Sequence, residues 1–258
     1  MENKITTHDI LQAKNTRKLA MITAYDALFA RLADLGGADM ILIGDSVGNN
    51  FLGFDSTIPV SLADMLHHTK AVARANTKAL VVADMPFCEA NYSFDRLLDS
   101  AKSLIQAGAS AVKIEGAGSI AEKIAGLTEA GIAVVGHIGL QPQQFLKLGK
   151  YRKFGKTEEE KNRLISGAKQ LESAGVFAIV LEMTDAETAK AISESVSVPT
   201  IGIGSGPHCD GQVLVMTDML GLNDFSPKFA KRYANLKEQI VNAYSQYVSE
   251  VRSGKFPE

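Results

Sequence analysis

The chain has 258 residues, 46% hydrophobic and 22% charged, which is ordinary for a globular protein with one large core. A formal charge of −2 without a long Lys/Arg run gives no electrostatic basis for binding nucleic acid or an anionic membrane. No apolar run has membrane-spanning length, the start MENKITTHDI lacks a signal-peptide core, and two isolated cysteines indicate reduced thiols, so we expect a cytoplasmic protein.

Eight apolar, β-branched runs recur along the chain, separated by stretches with helical spacing. We predict strands at KLAMIT (18–23), DMILIG (39–44), ALVVAD (79–84), AVKIEG (111–116), IAVVGH (132–137), FAIVLEM (177–183), PTIGIG (199–204) and QVLVMTD (212–218). In the intervening helical stretches, Ser61 and Ser93 are placed to act as N-caps. A long helical pattern follows the last strand, from about residue 227. Its predicted role is either to cover the barrel or to contact another subunit.

Continuous apolar strands that alternate with helices predict a parallel sheet buried on both faces. Eight such units in about 250 residues predict an α/β fold, a single-domain (β/α)8 TIM barrel spanning residues 1–258 with an added C-terminal helix. A doubly wound sheet is the alternative. It normally carries a glycine loop for phosphate after its first strand, whereas here AYDALFA follows that strand.

Charged and polar residues stand at the ends of consecutive predicted strands. They are Asp45 and Ser46 after the second strand, Asp84 after the third, Lys113 and Glu115 on the fourth, His137 after the fifth and Glu182 on the sixth. Any one of them alone is typical of a solvated loop or a helix cap. In a parallel barrel, however, all of these ends meet at one face, where active sites lie.

Lys113 and Glu115 are two residues apart, so both side chains should point the same way, into the barrel mouth. A buried ion pair is a poor choice for stability alone, because desolvation can cancel the attraction. The pair therefore favours a functional role over a structural one.

Three of these carboxylates, Asp45, Asp84 and Glu115, form an oxygen-rich set with no cysteine nearby. Hard oxygen ligands favour Mg²⁺ over zinc, and such a metal keeps waters that a chelating substrate, for instance a 2-oxo acid, can displace. Glu182 stands apart from the three as a carboxylate free to move a proton. The residues thus predict metal-assisted enolate chemistry without naming the electrophile.

Several motifs together resemble the ketopantoate hydroxymethyltransferase family across nearly the whole chain. They are TAYD, GDSVG, ADMPF, VKIEG, GHIGLQPQ, VLEM, IGIGSG, DGQVLV and FAKRYANL, in the order in which the family has them. The resemblance implies a (β/α)8 barrel that binds Mg²⁺ and uses 5,10-methylenetetrahydrofolate to hydroxymethylate 3-methyl-2-oxobutanoate. It also implies a homo-oligomer, a decamer of two five-membered rings. We expect small-molecule substrates and neither nucleic acid nor membrane as partners.

The resemblance also implies roles for individual residues. Asp45, Asp84 and Glu115 match the metal and substrate carboxylates, Ser46 and Lys113 match the groups that hold the oxo acid, Glu182 matches the proton acceptor, and His137 matches a histidine of the site. Gln141 stands where the family usually has threonine, and Ser205 where alanine is frequent. Both departures concern the folate side and not the catalytic positions.

The sequence also admits three other interpretations. TIGIGSG (200–206) follows the seventh strand, where barrels often bind phosphate, but the resemblance favours close backbone packing there because the oxo acid carries no phosphate. A lyase or mutase of the phosphoenolpyruvate-mutase kind would carry a catalytic cysteine in a flexible loop, and Cys88 follows MPF without one. A non-catalytic barrel would not need Glu182.

Overall fold

The computed structural model describes residues 4–257, which form two compact units, residues 4–213 and residues 214–257. The single domain expected from the sequence stays a prediction. The strands close into a parallel barrel in sequence order, β1 to β8. Their bounds are β1 Leu19–Thr23, β2 Met40–Ile43, β3 Leu80–Asp84, β4 Ala111–Glu115, β5 Val134–Gly139, β6 Ala178–Glu182, β7 Thr200–Ile203 and β8 Gly211–Leu214.

A helix precedes β1, and helices connect the strands from β1 to β7, as a parallel barrel requires, whereas a loop (residues 204–210) connects β7 to β8. Their bounds are α1 Thr7–Gln12, α2 Ala27–Leu35, α3 Val47–Asn50, α4 Leu62–Ala73, α5 Phe94–Gln106, α6 Ser119–Glu129, α7 Phe145–Leu148, α8 Glu158–Ser173, α9 Ala186–Ser195, α10 Met216–Met219 and α11 Leu236–Ser253. Single 3₁₀ turns lie at Glu89–Asn91 and Pro142–Gln144.

The barrel interior is filled by every second residue of the strands. Met40 and Leu42 of β2, Leu80 and Val82 of β3, and Val135 of β5 belong to one buried apolar cluster inside the barrel. Because side chains alternate along a strand, the next inward position towards the C-terminal end continues the same row. On β3, β4, β5 and β6 that next position is polar, and this places the candidate site directly above an apolar floor.

The eight predicted strands are confirmed, with one wrong extension. We predicted that the eighth strand runs through residue 218, but β8 ends at Leu214 and helix α10 begins at Met216. The apolar run thus spans a strand and the buried first turn of a helix, which periodicity alone does not separate. The C-terminal helix is confirmed but begins at Leu236, not near residue 227.

The two predicted N-caps behave differently. Ser61 caps α4 in a reciprocal capping box with Asp64. Ser93 is the N-cap residue of α5, as predicted, but its side chain makes no cap hydrogen bond.

None of the residues of α11 is buried in the structure, and its apolar side chains are partly exposed: Ile240, Val241, Tyr244, Val248 and Val251. Its two predicted roles, covering the barrel or contacting another subunit, therefore stay predictions. Within residues 4–257 we find no helix with the length and apolar character needed to span a membrane.

Candidate active site

The turn after β2 brings Asp45 and Ser46 to the barrel mouth. Asp45 is buried, and its backbone N–H donates to Asp84 Oδ2 at 3.0 Å. Gly44 permits this close turn, because a Cβ there would lie 2.7 Å from Ser46 Oγ. The hydroxyls of Ser46 and the fully buried Tyr25 lie 2.9 Å apart, so Tyr25 holds the serine in place.

The ammonium group of Lys113 lies at the centre of the site. Lys113 Nζ is 3.1 Å from Asp84 Oδ1 and 3.1 Å from His137 Nδ1, and both neighbours are buried. Asp84 and Lys113 are direct partners in the β3–β4 register, so the sheet itself sets this ion pair. The prediction that Lys113 and Glu115 lie on one face of β4 agrees with this geometry, since both reach His137.

His137 links the centre of the site to Glu182. Its Nδ1 lies 3.6 Å from Glu115 Oε1, and its Nε2 lies 3.3 Å from Glu182 Oε2. Because the Lys113 ammonium donates to Nδ1, we assign the proton of the neutral imidazole to Nε2, which faces Glu182. Nε2 makes no well-directed hydrogen bond in this conformation.

Burial changes the proton affinities of these groups. It raises the pKa of Asp45 to about 7, with the neighbouring Asp84 adding to the effect. It also raises the pKa of Glu182 to about 7 and that of Glu115 well above its usual value, against the opposing charge of Lys113. The pKa of His137 falls well below its ordinary value, because burial and the Lys113 ammonium both disfavour the imidazolium form.

Lys113 remains a cation. Burial alone would lower its pKa, but the carboxylates of Asp84, Glu115 and Asp45 hold that pKa above the ordinary value. The mouth therefore gathers four acidic side chains around one ammonium group. The chemistry of this set, hard oxygens with an excess of negative charge, fits a divalent cation such as Mg²⁺.

The carboxylates are turned towards other partners in this conformation. The Gln143 side chain donates to Asp45 Oδ2 at 2.9 Å, and its backbone N–H to Glu115 Oε2 at 3.3 Å. Asp84 Oδ1 is buried without a directed hydrogen bond. Within residues 4–257, no three His, Cys, Asp or Glu side chains are arranged to hold a metal together. Metal binding by Asp45, Asp84 and Glu115 therefore stays a prediction and would require these contacts to rearrange.

Three residues at the mouth were not identified from the sequence as site residues. Gln143 contacts both Asp45 and Glu115, and Tyr25 holds Ser46. Tyr151 lies where burial and then the charge of Glu182 raise its pKa. Tyr25 lies in the motif TAYD at the end of β1, and Gln143 lies at the end of the motif GHIGLQPQ, which begins in β5. These motif positions at strand ends are the feature of the sequence that could have indicated both residues.

These features define a (β/α)8-barrel enzyme with a cluster of titratable side chains at the mouth of the barrel. The family model described as ketopantoate hydroxymethyltransferase matches residues 4–258. The chain therefore belongs to the ketopantoate hydroxymethyltransferase family.

Similar proteins carry a consistent name. A 3-methyl-2-oxobutanoate hydroxymethyltransferase of Ignicoccus hospitalis is 53% identical over 98% of this chain and 97% of its own length. One of the same name from Caldivirga maquilingensis is 52% identical over 98% of this chain and 96% of its own length.

Solved structures support the fold. A phosphonopyruvate hydrolase complexed with oxalate and Mg²⁺ has a TM-score of 0.63 at 17% identity, covering 96% of this chain and 88% of that one. A 2,3-dimethylmalate lyase of the phosphoenolpyruvate mutase/isocitrate lyase superfamily has a TM-score of 0.61 at 14% identity, with the same coverages. At these identities the likeness shows the shared barrel fold only.

The raised pKa values predict how stability depends on pH. Asp45 and Glu182 titrate near 7 in the folded protein and at ordinary carboxyl values in the unfolded chain. The folded state thus binds more protons from about pH 8 down to the ordinary carboxyl pKa of about 4, so the free energy of unfolding should rise as pH falls through this range. Glu182 alone should contribute about 1 kcal/mol between about pH 8 and about pH 6. The raised pKa of Glu115 acts in the same direction, whereas His137, with its lowered pKa, opposes the rise below about pH 7, because the unfolded imidazole then binds protons that the buried one does not.

Urea unfolding of the metal-free protein at several pH values would measure this dependence. Glu182→Gln should flatten it, whereas the exposed Glu187→Gln should not. A stability that stays constant or falls on acidification towards about pH 6 would show that these carboxyls titrate normally.

Proposed function

We propose that the chain transfers a hydroxymethyl group from 5,10-methylenetetrahydrofolate to 3-methyl-2-oxobutanoate, giving 2-dehydropantoate (ketopantoate). This would be the first committed step towards pantothenate and coenzyme A. Family membership supports the reaction. The observation that carries the mechanism is the position of Glu182, a largely buried carboxylate 3.3 Å from His137 Nε2, where desolvation raises its pKa to about 7. A base poised near neutrality is what proton abstraction from carbon requires.

The oxo acid would bind through the charged and polar groups around Lys113. The Lys113 ammonium and the Ser46 hydroxyl are the donors suited to its carboxylate, and Tyr25 holds that hydroxyl in place. Asp45, Asp84 and His137 complete the substrate pocket, and Asp45, Asp84 and Glu115 would hold Mg²⁺. When bound, Mg²⁺ supplies Lewis-acid stabilisation of the negative charge that develops on the keto oxygen.

Glu182 would accept the proton from C3 of the oxo acid. Its raised pKa makes it a stronger base than an ordinary carboxylate, while near neutral pH a large fraction stays ionised. The Nε2–H of neutral His137 lies 3.3 Å away and would orient the carboxylate once a small rotation aligns the two groups for a hydrogen bond. C3 of the resulting enolate would form a bond to the methylene carbon of the donor. Both C–N bonds of that carbon break, water supplies the hydroxyl group, and the proton taken from C3 together with the remaining proton of the water ends on the two nitrogens of the departing tetrahydrofolate.

We further propose a cytoplasmic homo-oligomer, a decamer in keeping with the family resemblance. Both cysteines are free, as expected in a reducing compartment. The partly exposed apolar residues of α11 are compatible with a subunit contact. Light scattering should then give a mass many times 27.6 kDa, and a monomer mass would reject the assembly.

A coupled assay tests the function directly. Folded protein supplied with 3-methyl-2-oxobutanoate, 5,10-methylenetetrahydrofolate and Mg²⁺ should form ketopantoate, and each component should be required. Absence of ketopantoate under these conditions would refute the proposed reaction.

Asp84→Asn tests the metal site. Asparagine can still accept the Asp45 N–H bond, although Lys113 loses its buried charge partner and the variant should be less stable. In the folded variant, the lost negative charge should weaken Mg²⁺-dependent binding of the oxo acid at least about tenfold. Calorimetry with and without Mg²⁺ measures this, with the exposed Asp95→Asn as the matched control. Equal Mg²⁺-dependent affinity in Asp84→Asn and wild type would remove Asp84 from the metal site.

Glu182→Gln tests the base. The variant keeps the size of the side chain but cannot accept a proton, so exchange of the C3 proton with deuterated water should fall at least about 100-fold. Omitting folate isolates this enolisation from the later carbon–carbon bond formation. The variant should still bind Mg²⁺ and the oxo acid.

Glu187→Gln, an exposed substitution on α9, provides the control and should exchange at the wild-type rate. Exchange in Glu182→Gln within a few-fold of wild type would assign the base elsewhere, with His137 as the next candidate.

A further inference from the structure

A second cavity lies on the outer side of the barrel wall, behind the fifth strand. It encloses about 660 Å³ between the end of β5, the segment that follows β5, and helix α8. We call it the outer cavity. Ile138 lines it, while the neighbouring His137 on β5 faces into the catalytic mouth. The two spaces therefore lie on opposite faces of the same strand.

The outer cavity has an unbalanced positive charge. Lys147, Arg152 and Arg163 line it, and its lining contains no Asp or Glu. Arg152 is paired with Glu160 at 2.8 Å and lies over the Phe154 ring. Lys147 and Arg163 form no ion pair within the described part of the chain. Two cations are thus available for an anionic ligand.

Other charged cavities differ in this respect. The cavity at the opposite end of the barrel, near Lys14 and Lys190, also contains Asp210 and Glu194, and Lys14 is paired with Asp210 at 2.7 Å. Its lysines are therefore partly neutralised by the protein itself. The outer cavity is the better candidate for binding a carboxylate.

One segment separates the outer cavity from the catalytic mouth. The side chain of Gln143 reaches Asp45 inside the mouth, whereas Gln141 and Gln144 line the outer cavity. An elongated ligand that crosses this segment can place one end in the mouth and the other beside Lys147 and Arg163. The cavity also offers apolar surface, including Leu148 and Phe154, along such a path.

We infer that the outer cavity binds the glutamate carboxylates of the one-carbon donor, an inference that rests on the proposed function. A folate has a flat ring system at its reactive end and a glutamyl tail with carboxylates at the other. Guanidinium groups pair with carboxylates through two parallel hydrogen bonds, which suits Arg163, while Lys147 adds a mobile charge. Gln141, which departs from the threonine usual in the family, lines this tail site.

The test compares donors that differ only in the tail: the methylene derivatives of tetrahydropteroate, tetrahydrofolate and tetrahydrofolate triglutamate. Wild type should show a higher kcat/KM for the triglutamate than for the pteroate. Lys147→Gln and Arg163→Gln should each reduce this ratio about three- to tenfold, and the double variant further. Lys169→Gln, on the same helix as Arg163 but outside the cavity lining, should keep the wild-type ratio.

The outcomes separate this inference from the proposed function. If wild type forms ketopantoate but does not prefer glutamylated donors, or if the double variant keeps the preference, the tail site is refuted while the function stands. If wild type forms no ketopantoate with any donor, the proposed function fails. In that case, equal calorimetric affinity of wild type and the double variant for tetrahydrofolate triglutamate would also refute the tail site, and weaker binding by the variant would support it.

Discussion

The buried ammonium of Lys113 is the interaction on which the site depends. It lies 3.1 Å from both Asp84 Oδ1 and His137 Nδ1, and its charge keeps the imidazole neutral while offsetting part of the surrounding negative charge. Without it, the four acidic side chains at the mouth would have no buried cation among them. With it, they are still in excess. Burial raises the pKa of both Asp45 and Glu182, and the neighbouring Asp84 raises that of Asp45 further. The basicity of Glu182 therefore comes from desolvation, whereas an attraction of the mouth for a divalent cation would come from the number of its carboxylates.

The barrel produces this arrangement through the alternation of side chains along its strands. Leu80 and Val82 on β3 fill the interior, and Asp84 is the next inward position. On β5 the same row runs from Val135 to His137. The apolar layer beneath the polar one excludes water, so the acids cannot be solvated from below and their charged forms are destabilised. The strength of the desolvation thus depends on the core residues as much as on the site residues themselves.

Much of this could be predicted from the sequence, because a parallel barrel strand is buried on both faces and reads as a continuous apolar run. The charged residues that end such runs share one face of the barrel, so Asp84, Lys113, His137 and Glu182 could be grouped before the structure was known. The end of β8 could not be placed, since an apolar run is the same whether it stays extended or turns into α10. Gln143 could not be assigned a partner either. It reaches Asp45 across 98 positions of sequence, and an amide side chain has no charge to mark it as a site residue.

The two faces of β5 separate the residues of the catalytic mouth from those of the outer cavity, so the proposed binding of the oxo acid and of the donor's tail can be altered independently. His137 faces the groups that would bind and deprotonate the oxo acid, and Ile138 faces the outer cavity. Gln141, Lys147 and Arg163, which line the outer cavity, make no hydrogen bond or ion pair with the titrating groups of the mouth in the described chain. Substitutions on the outer side would therefore change which donor binds without altering the pKa of Glu182, because that pKa is set by burial and by Lys113 inside the barrel.

The link between the two sides is Gln143, whose contacts with Asp45 and Glu115 lie on the segment that the donor would have to cross. A donor bound across that segment would lie against Gln143, whose side chain occupies Asp45 Oδ2, so we expect donor binding and metal binding to be energetically coupled through Gln143.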